Sequence, residues 1–202
     1  MSETATIQTS HKGLQSKSYL VTVLILAAIG LASAFQLMME KIELWKNPAY
    51  IPSCSFNPLF SCQGPMQSWQ SSVFFGIPNP LIGIVAFTIL ILVAITAFTI
   101  KLPKWYWTLW LGGITLAYGF IWWLISQSLY DIGALCIYCM IVWTVVTPLF
   151  WVTLTTYLKT FYSEKKWVGY FYGARWAIVI ANYGAIALMI YLQFADFFNT
   201  YL

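Results

Sequence analysis

Five uncharged stretches, Tyr19–Met39, Leu81–Ile100, Trp105–Gln127, Met140–Leu158 and Trp176–Ala195, restrict what this chain can become more than any other feature of it. Each approaches or exceeds the roughly 20 apolar residues a helix needs to cross a bilayer. In hydrocarbon a helix satisfies its own backbone donors and acceptors, which an irregular chain cannot do. Charged residues occupy 8% of the 202 positions and hydrophobic residues 60%, with a mean hydropathy of +0.75. Soluble domains are about 25% charged, so the solvent here is lipid. The expected fold is all-α and integral to a membrane, with five transmembrane helices in one domain. A nucleic-acid partner is excluded, because 10 Lys and Arg against 6 Asp and Glu are spread along the chain and form no basic patch. No repeat of about 20 to 50 residues recurs, so the chain is no solenoid.

The cations orient the spans. With a cytoplasmic N-terminus, Lys12, Lys17, Lys101, Lys104, Lys159, Lys165, Lys166 and Arg175 lie inside, and Lys41 and Lys46 lie outside. That asymmetry is the positive-inside bias of a multi-pass membrane protein. It divides the chain into a cytoplasmic segment 1–18, a bundle 19–158 with an extracytoplasmic loop 40–79, and a cytoplasmic loop and fifth helix 159–202. The turn Ser128–Cys139, the tail from Asp196 and all four cysteines then face outward. Lys12, Lys17 and the Ala32-Ser33-Ala34 sequence also suit a cleavable export signal. The apolar run continues through Phe35, Leu37, Met38 and Met39 to a full membrane thickness, which favours a retained helix.

The outer loop is no plain linker. Prolines 48, 52, 58, 65, 78 and 80 crowd this region, and proline fixes φ and removes a donor, so ordered turns are expected. Trp45, Tyr50, Phe56, Phe60, Trp69, Phe74 and Phe75 suit a lid lying at the membrane boundary. Pro65 is placed to begin a short half-helix and Gly76 to end it, with Met66, Trp69 and Val73 on its apolar face. An irregular surface loop is the alternative.

Chemistry rests on Cys54, Cys62, Cys136 and Cys139. His11 is the sole histidine, so a bis-histidine haem has no ligands. Cys136 and Cys139 form a CxxC at the start of the fourth span, where positions i and i+3 share a helix face and the sulfurs can meet. Free amides at a helix N-terminus favour thiolate, which lowers the pKa of the first cysteine. A loop this short contributes little chain-entropy stabilisation, so the pair suits catalysis better than stapling. Cys54 and Cys62 stand where a local disulfide would be open to attack by an outside thiol. Two pairs on one face suggest a relay, with electrons entering at the loop and leaving at the helix. Three alternatives compete: two inert disulfides, a four-thiolate zinc site, for which the loop spacing is too wide, and covalent haem attachment, which Met140 excludes by standing where histidine is required.

Such a relay needs an electron sink, and no dinucleotide, haem or iron–sulfur motif is present. The two-electron acceptor dissolved in a bilayer is a quinone, such as menaquinone or ubiquinone. Its site is expected near Cys139, with Asn79 and Ser68 as polar candidates and Trp143 as an aromatic wall. Asn79 equally suits a purely structural helix start.

The run Cys54-Ser55-Phe56-Asn57-Pro58-Leu59-Phe60-Ser61-Cys62, then Ser68, the Phe75–Gly83 segment containing Asn79-Pro80-Leu81-Ile82-Gly83, and Leu135-Cys136-Ile137-Tyr138-Cys139 resemble the bacterial branch of the vitamin K epoxide reductase family. The similarity covers Tyr19 to Leu158. It implies a four-helix bundle around a quinone, in a bacterial inner membrane. A separate, exported thioredoxin-fold oxidase of the DsbA-like kind would be the partner, because only seven residues follow Ala195 where many relatives carry a fused thioredoxin domain. The resemblance further implies that Cys54 meets the partner, Cys62 passes electrons to Cys136, and Cys139 reduces the quinone beside Asn79 and Ser68. Trp143 stands where vertebrate relatives have tyrosine, which favours quinone reduction over epoxide reduction.

Two other functions compete. A conduit carrying reductant outward needs cysteines reachable from the cytoplasm, and the inner loops have none. A non-catalytic transporter or assembly factor usually keeps ionisable groups within its spans, and only Asp131 and Asp196 come near.

Overall fold

Residues 13–57, 59–195 and 197 are described in the computed structural model of this protein. Expectations placed on His11, Lys12, Pro58, Asp196 and residues 198–202 lie outside them. The elements are helical throughout: α1 (Lys17–Lys46), α2 (Gln63–Gln67), α3 (Asn79–Thr99), α4 (Lys104–Gln127), α5 (Ile137–Phe161), α6 (Lys166–Gly173) and α7 (Arg175–Gln193). Five of them, α1, α3, α4, α5 and α7, are long and apolar enough to cross a membrane, α4 with the π-helical turn Ser128–Ile132 that continues it.

Helix α1 packs on α3 and α5, α4 and α7 both pack on α5, and so α5 is the hub. Small residues let α1 and α3 approach closely. A Cβ at Gly30 would collide with the Phe87 ring, and one at Gly83 would lie 3.2 Å from Ala34 Cβ. Close backbone approach of this kind is how helices associate in lipid, where burial of apolar surface supplies no net drive. Val85, Ile89 and Leu92 of α3 remain exposed at three- and four-residue steps, a stripe suited to lipid.

The fifth span has a specific task. Pro148 lies inside α5 and has no N–H for the carbonyl of Thr144 four residues earlier. Tyr183 of α7 donates its hydroxyl to that carbonyl at 2.6 Å. Next to it, the Tyr118 hydroxyl of α4 donates to Asn182 Oδ1 at 2.5 Å, and Trp151 Nε1 donates to Tyr118. A Tyr183→Phe variant should lose about 1 kcal/mol, the scale of a hydrogen bond within a bilayer. The check is a lowered unfolding midpoint in mild detergent with the Cys54–Cys62 disulfide still formed.

The helix ends opposite the cysteines gather together. Gln15 donates to the carbonyl of Ile100 at 2.7 Å, and Lys104 Nζ lies 5.1 Å from the Phe161 ring. Lys17, Lys101, Lys104 and Lys159 therefore share one end of the bundle.

Three local expectations need correction. Helix α1 does not stop at Met39 but continues through Lys46, because Glu40, Lys41 and Leu44 are buried and extend its packed face. The half-helix after Pro65 is broken. Gln63–Gln67 is α-helical, Ser68 is extended at ψ 153°, and a single 3-10 turn, Trp69–Ser72, follows. Gly76 does end the segment, at φ 77°. Finally, the stretch between the fourth and fifth spans contains a helix, α6, with Val168 buried and Trp167 and Tyr170 exposed.

Candidate functional site

The loop after α1 is folded by its own polar side chains. Asn57 Oδ1 accepts from the amides of Leu59 (3.0 Å) and Phe60 (2.7 Å), and Phe56 N–H donates to Phe60 O at 2.9 Å. This tight reversal brings Cys54 against Cys62, and the two form a disulfide with a Cα–Cα distance of 5.8 Å. Glu40 pins the approach to Cys54, accepting from the Tyr50 hydroxyl at 3.0 Å and from both the amide (3.2 Å) and the hydroxyl of Ser53.

The expected exposure of this disulfide is not found. Cys54 is 3% exposed and Cys62 is fully buried, because Leu37, Leu44 and Met66 pack around them and Tyr50 covers the cluster. An outside thiol reaches Cys54 only after the loop shifts.

Backbone pairing joins the two cysteine pairs. Phe60 and Leu135 form a parallel bridge, with Leu135 N–H donating to Leu59 O at 2.8 Å and Ser61 N–H donating to Leu135 O at 3.1 Å. Residues 60 and 61 thus run beside 135 and 136, and Cys54, Cys62 and Cys136 share one buried cluster against which Cys139 packs. Spacing along the chain offers no signal for this contact.

Cys136 caps the N-terminus of α5, and Cys136 and Cys139 are both unbridged. The Cys139 thiol donates to Cys136 Sγ, and the amides of Cys139 and Tyr138 add to it, so the Cys136 pKa falls below the ordinary thiol value despite burial. This agrees with the helix-start expectation, although the neighbouring thiol contributes more than the backbone. Cys139→Ala should move the Cys136 titration upward, while Cys139→Ser, which keeps a donor, should move it less. Alkylation of Cys136 by a small maleimide as a function of pH measures both shifts; equal midpoints in all three proteins would contradict the assignment.

A cavity of about 390 Å³ opens beside this pair. Ser68, Asn79, Cys136, Cys139 and Trp143 all line it, so the candidates from the sequence converge on one apolar chamber. Asn79 Nδ2 donates to Gln70 O at 2.7 Å, which leaves Asn79 Oδ1 buried without a partner. Ser68 spends its hydroxyl proton on Pro65 O at 2.8 Å. Trp143 is 4% exposed and forms part of the wall. Lys41 also lines the chamber, although its sequence position marks only an outer-loop cation. Among the described residues, no three His, Cys, Asp or Glu side chains converge as a metal-ligand set.

The sequence profile of the Vitamin K epoxide reductase family matches residues 21–154, more than half of the chain. The protein belongs to the vitamin K epoxide reductase family. Among curated proteins and among solved structures, none matches it. As a vitamin K epoxide reductase family member with five membrane-spanning helices, a disulfide and an adjoining dithiol, it is a membrane oxidoreductase whose family works in disulfide and quinone redox chemistry.

Proposed function

We propose that this protein is a thiol oxidase that takes electrons from an exported thioredoxin-fold dithiol protein and delivers them to a membrane quinone. The observation that carries this reading is the backbone bridge that seats the oxidised pair Cys54–Cys62 directly against the reduced pair Cys136/Cys139 at the mouth of an apolar chamber. Clustering of cations at the opposite end supports a cysteine face outside the cytoplasm.

The partner's thiolate attacks Cys54 and releases Cys62. The partner's second thiol then takes back Cys54, leaving an oxidised partner and a Cys54/Cys62 dithiol. Cys62 attacks Cys136 of an oxidised Cys136–Cys139 pair, expelling Cys139 as thiolate. Cys54 attacks Cys62, re-forms the loop disulfide and expels Cys136. The lowered pKa of Cys136 makes it a good leaving group and speeds this last step. Its product, a loop disulfide beside a CxxC dithiol, is the state observed.

A bound quinone would accept two electrons from the dithiol and take up two protons in becoming a quinol. The residues fit such a group. Trp143, Phe87 and Leu124 supply apolar walls, and the orphaned Asn79 Oδ1 would accept from the hydroxyl of a quinol. Ser68 shapes the lid over it.

The test is turnover of purified protein given a reduced thioredoxin-fold donor and a soluble quinone. Loss of quinone absorbance coupled to donor oxidation is expected; a donor that stays reduced, or a quinone that stays oxidised, overturns the reading. Labelling the cysteines in intact cells and in inverted vesicles reports the side of the membrane.

A further inference from the structure

Lys41 is the charge that the relay leaves unexplained. It is 4% exposed, and its ammonium donates to Ser71 Oγ (2.6 Å), Ser72 Oγ (3.2 Å) and Met66 O (3.3 Å), all neutral. The Trp45 ring lies 5.8 Å away. Neutral dipoles repay only part of the cost of desolvating a cation. Stapling the lid would not require a charge, since an amide side chain donates to carbonyls and hydroxyls equally well. Lys41 is also the one charged side chain among the described residues lining the chamber that holds Cys136, Cys139 and Asn79.

The chemistry is short of a proton at that place. Thiols give up electrons through the thiolate, and a dithiol in that reacting form, one thiolate beside one thiol, carries two electrons but a single proton, whereas reducing a quinone to its quinol consumes two of each. We propose that Lys41 supplies the second proton to the quinone oxygen within the chamber. This rests on the quinone reading above. The step balances: one S–S bond forms between Cys136 and Cys139, the Cys139 proton and one Lys41 proton, that of the long 3.3 Å bond to Met66 O, go to the two quinone oxygens, and the ammonium becomes an amine that keeps its two serine partners. Water at the lid then reprotonates Lys41, and no further oxidant or reductant is needed.

The test uses full-length protein in detergent with a soluble benzoquinone and a small dithiol. Lys41→Gln keeps a hydrogen-bond donor for the lid and should lower kcat about a hundredfold while leaving KM nearly unchanged, the scale of losing a positioned general acid. Lys41→Arg keeps the charge but cannot release a proton, and should be as slow. In both variants the loop disulfide and the Cys136 alkylation midpoint should match wild type, as a fold check independent of turnover. A second readout needs no turnover. Amine modification of Lys41, followed by peptide mass mapping, should fall severalfold when the redox-inert dimethyl ether of the matching hydroquinone is added, while labelling of Lys104 and Lys159 at the other end should not change. Wild-type rates in Lys41→Gln, a rapid Lys41→Arg, or unshielded Lys41 overturns the assignment alone; a wild-type protein that reduces no quinone overturns both it and the underlying reading.

Discussion

Cys139→Ser should abolish quinone reduction, with a loss of about a thousandfold or more, as when a covalent participant is removed from a catalytic unit. The same variant should accumulate a new bond. The Cys136 thiolate exchanges with Cys62 across the Phe60–Leu135 bridge and releases Cys54, which needs no outside oxidant, and alkylating Cys54 as it is released blocks the return attack. Non-reducing peptide mapping after alkylation should therefore find Cys62 joined to Cys136 and Cys54 alkylated. Serine at 139 leaves a donor beside Cys136, so the thiolate that performs this attack is retained. Detecting only the Cys54–Cys62 linkage in this variant, under conditions where wild type turns over, would remove the central step of the relay.

The second large effect is expected at a residue with no redox chemistry. Leu135 N–H donates to Leu59 O at 2.8 Å, and Leu135 O accepts from Ser61 N–H at 3.1 Å. Leu135→Pro deletes the first of these bonds and also restrains Ala134. The disulfide and the dithiol should drift apart, and a displacement of about 1 Å in a reacting pair costs on the order of a hundredfold in rate. Turnover with the thioredoxin-fold donor should fall by that factor. Turnover driven by a small dithiol that reaches the CxxC directly should stay near wild type, because the chamber and α5 are untouched. An equal fall with both donors would mean that the bridge supports the bundle and not the transfer.

Burial of the loop disulfide adds a condition to the relay. Glu40 holds Ser53, the residue before Cys54, by two hydrogen bonds, and Tyr50 by a third. The proposed partner would have to displace this segment to reach Cys54, which would couple its reaction to movement of the loop. Exposed Ile51 and Phe56 flank the cysteine at 69% and 73% exposure and lie where such a partner would meet the loop.

Much of this was readable from residue order because lipid imposes a one-dimensional code. A spanning helix must be apolar over its whole length, so Leu81–Ile100 and Trp105–Gln127 announce themselves, and the observed helices differ from them by one or two residues. The CxxC at the start of α5 is equally local: Cys136 falls at the cap because the apolar run begins just after it. The polar expectations hold less well. Glu40 and Lys41 look like loop charges in sequence, since charge usually marks the end of a span, yet the helix continues and buries both. The break at Ser68 escapes prediction because apolar spacing over so few residues does not separate one helix from two short turns.

Residue order alone determined the membrane solvent, the five spans and the CxxC at a helix start, since each depends on neighbours within a turn or a span. Tertiary structure decided which sulfurs meet, that the loop disulfide is covered, that Asn79, Cys139 and Lys41 face one chamber, and that Tyr183 serves a carbonyl orphaned by Pro148. Those contacts join groups far apart in the chain, and their partners are set by how packed helices and a folded loop share space, which no local spacing encodes.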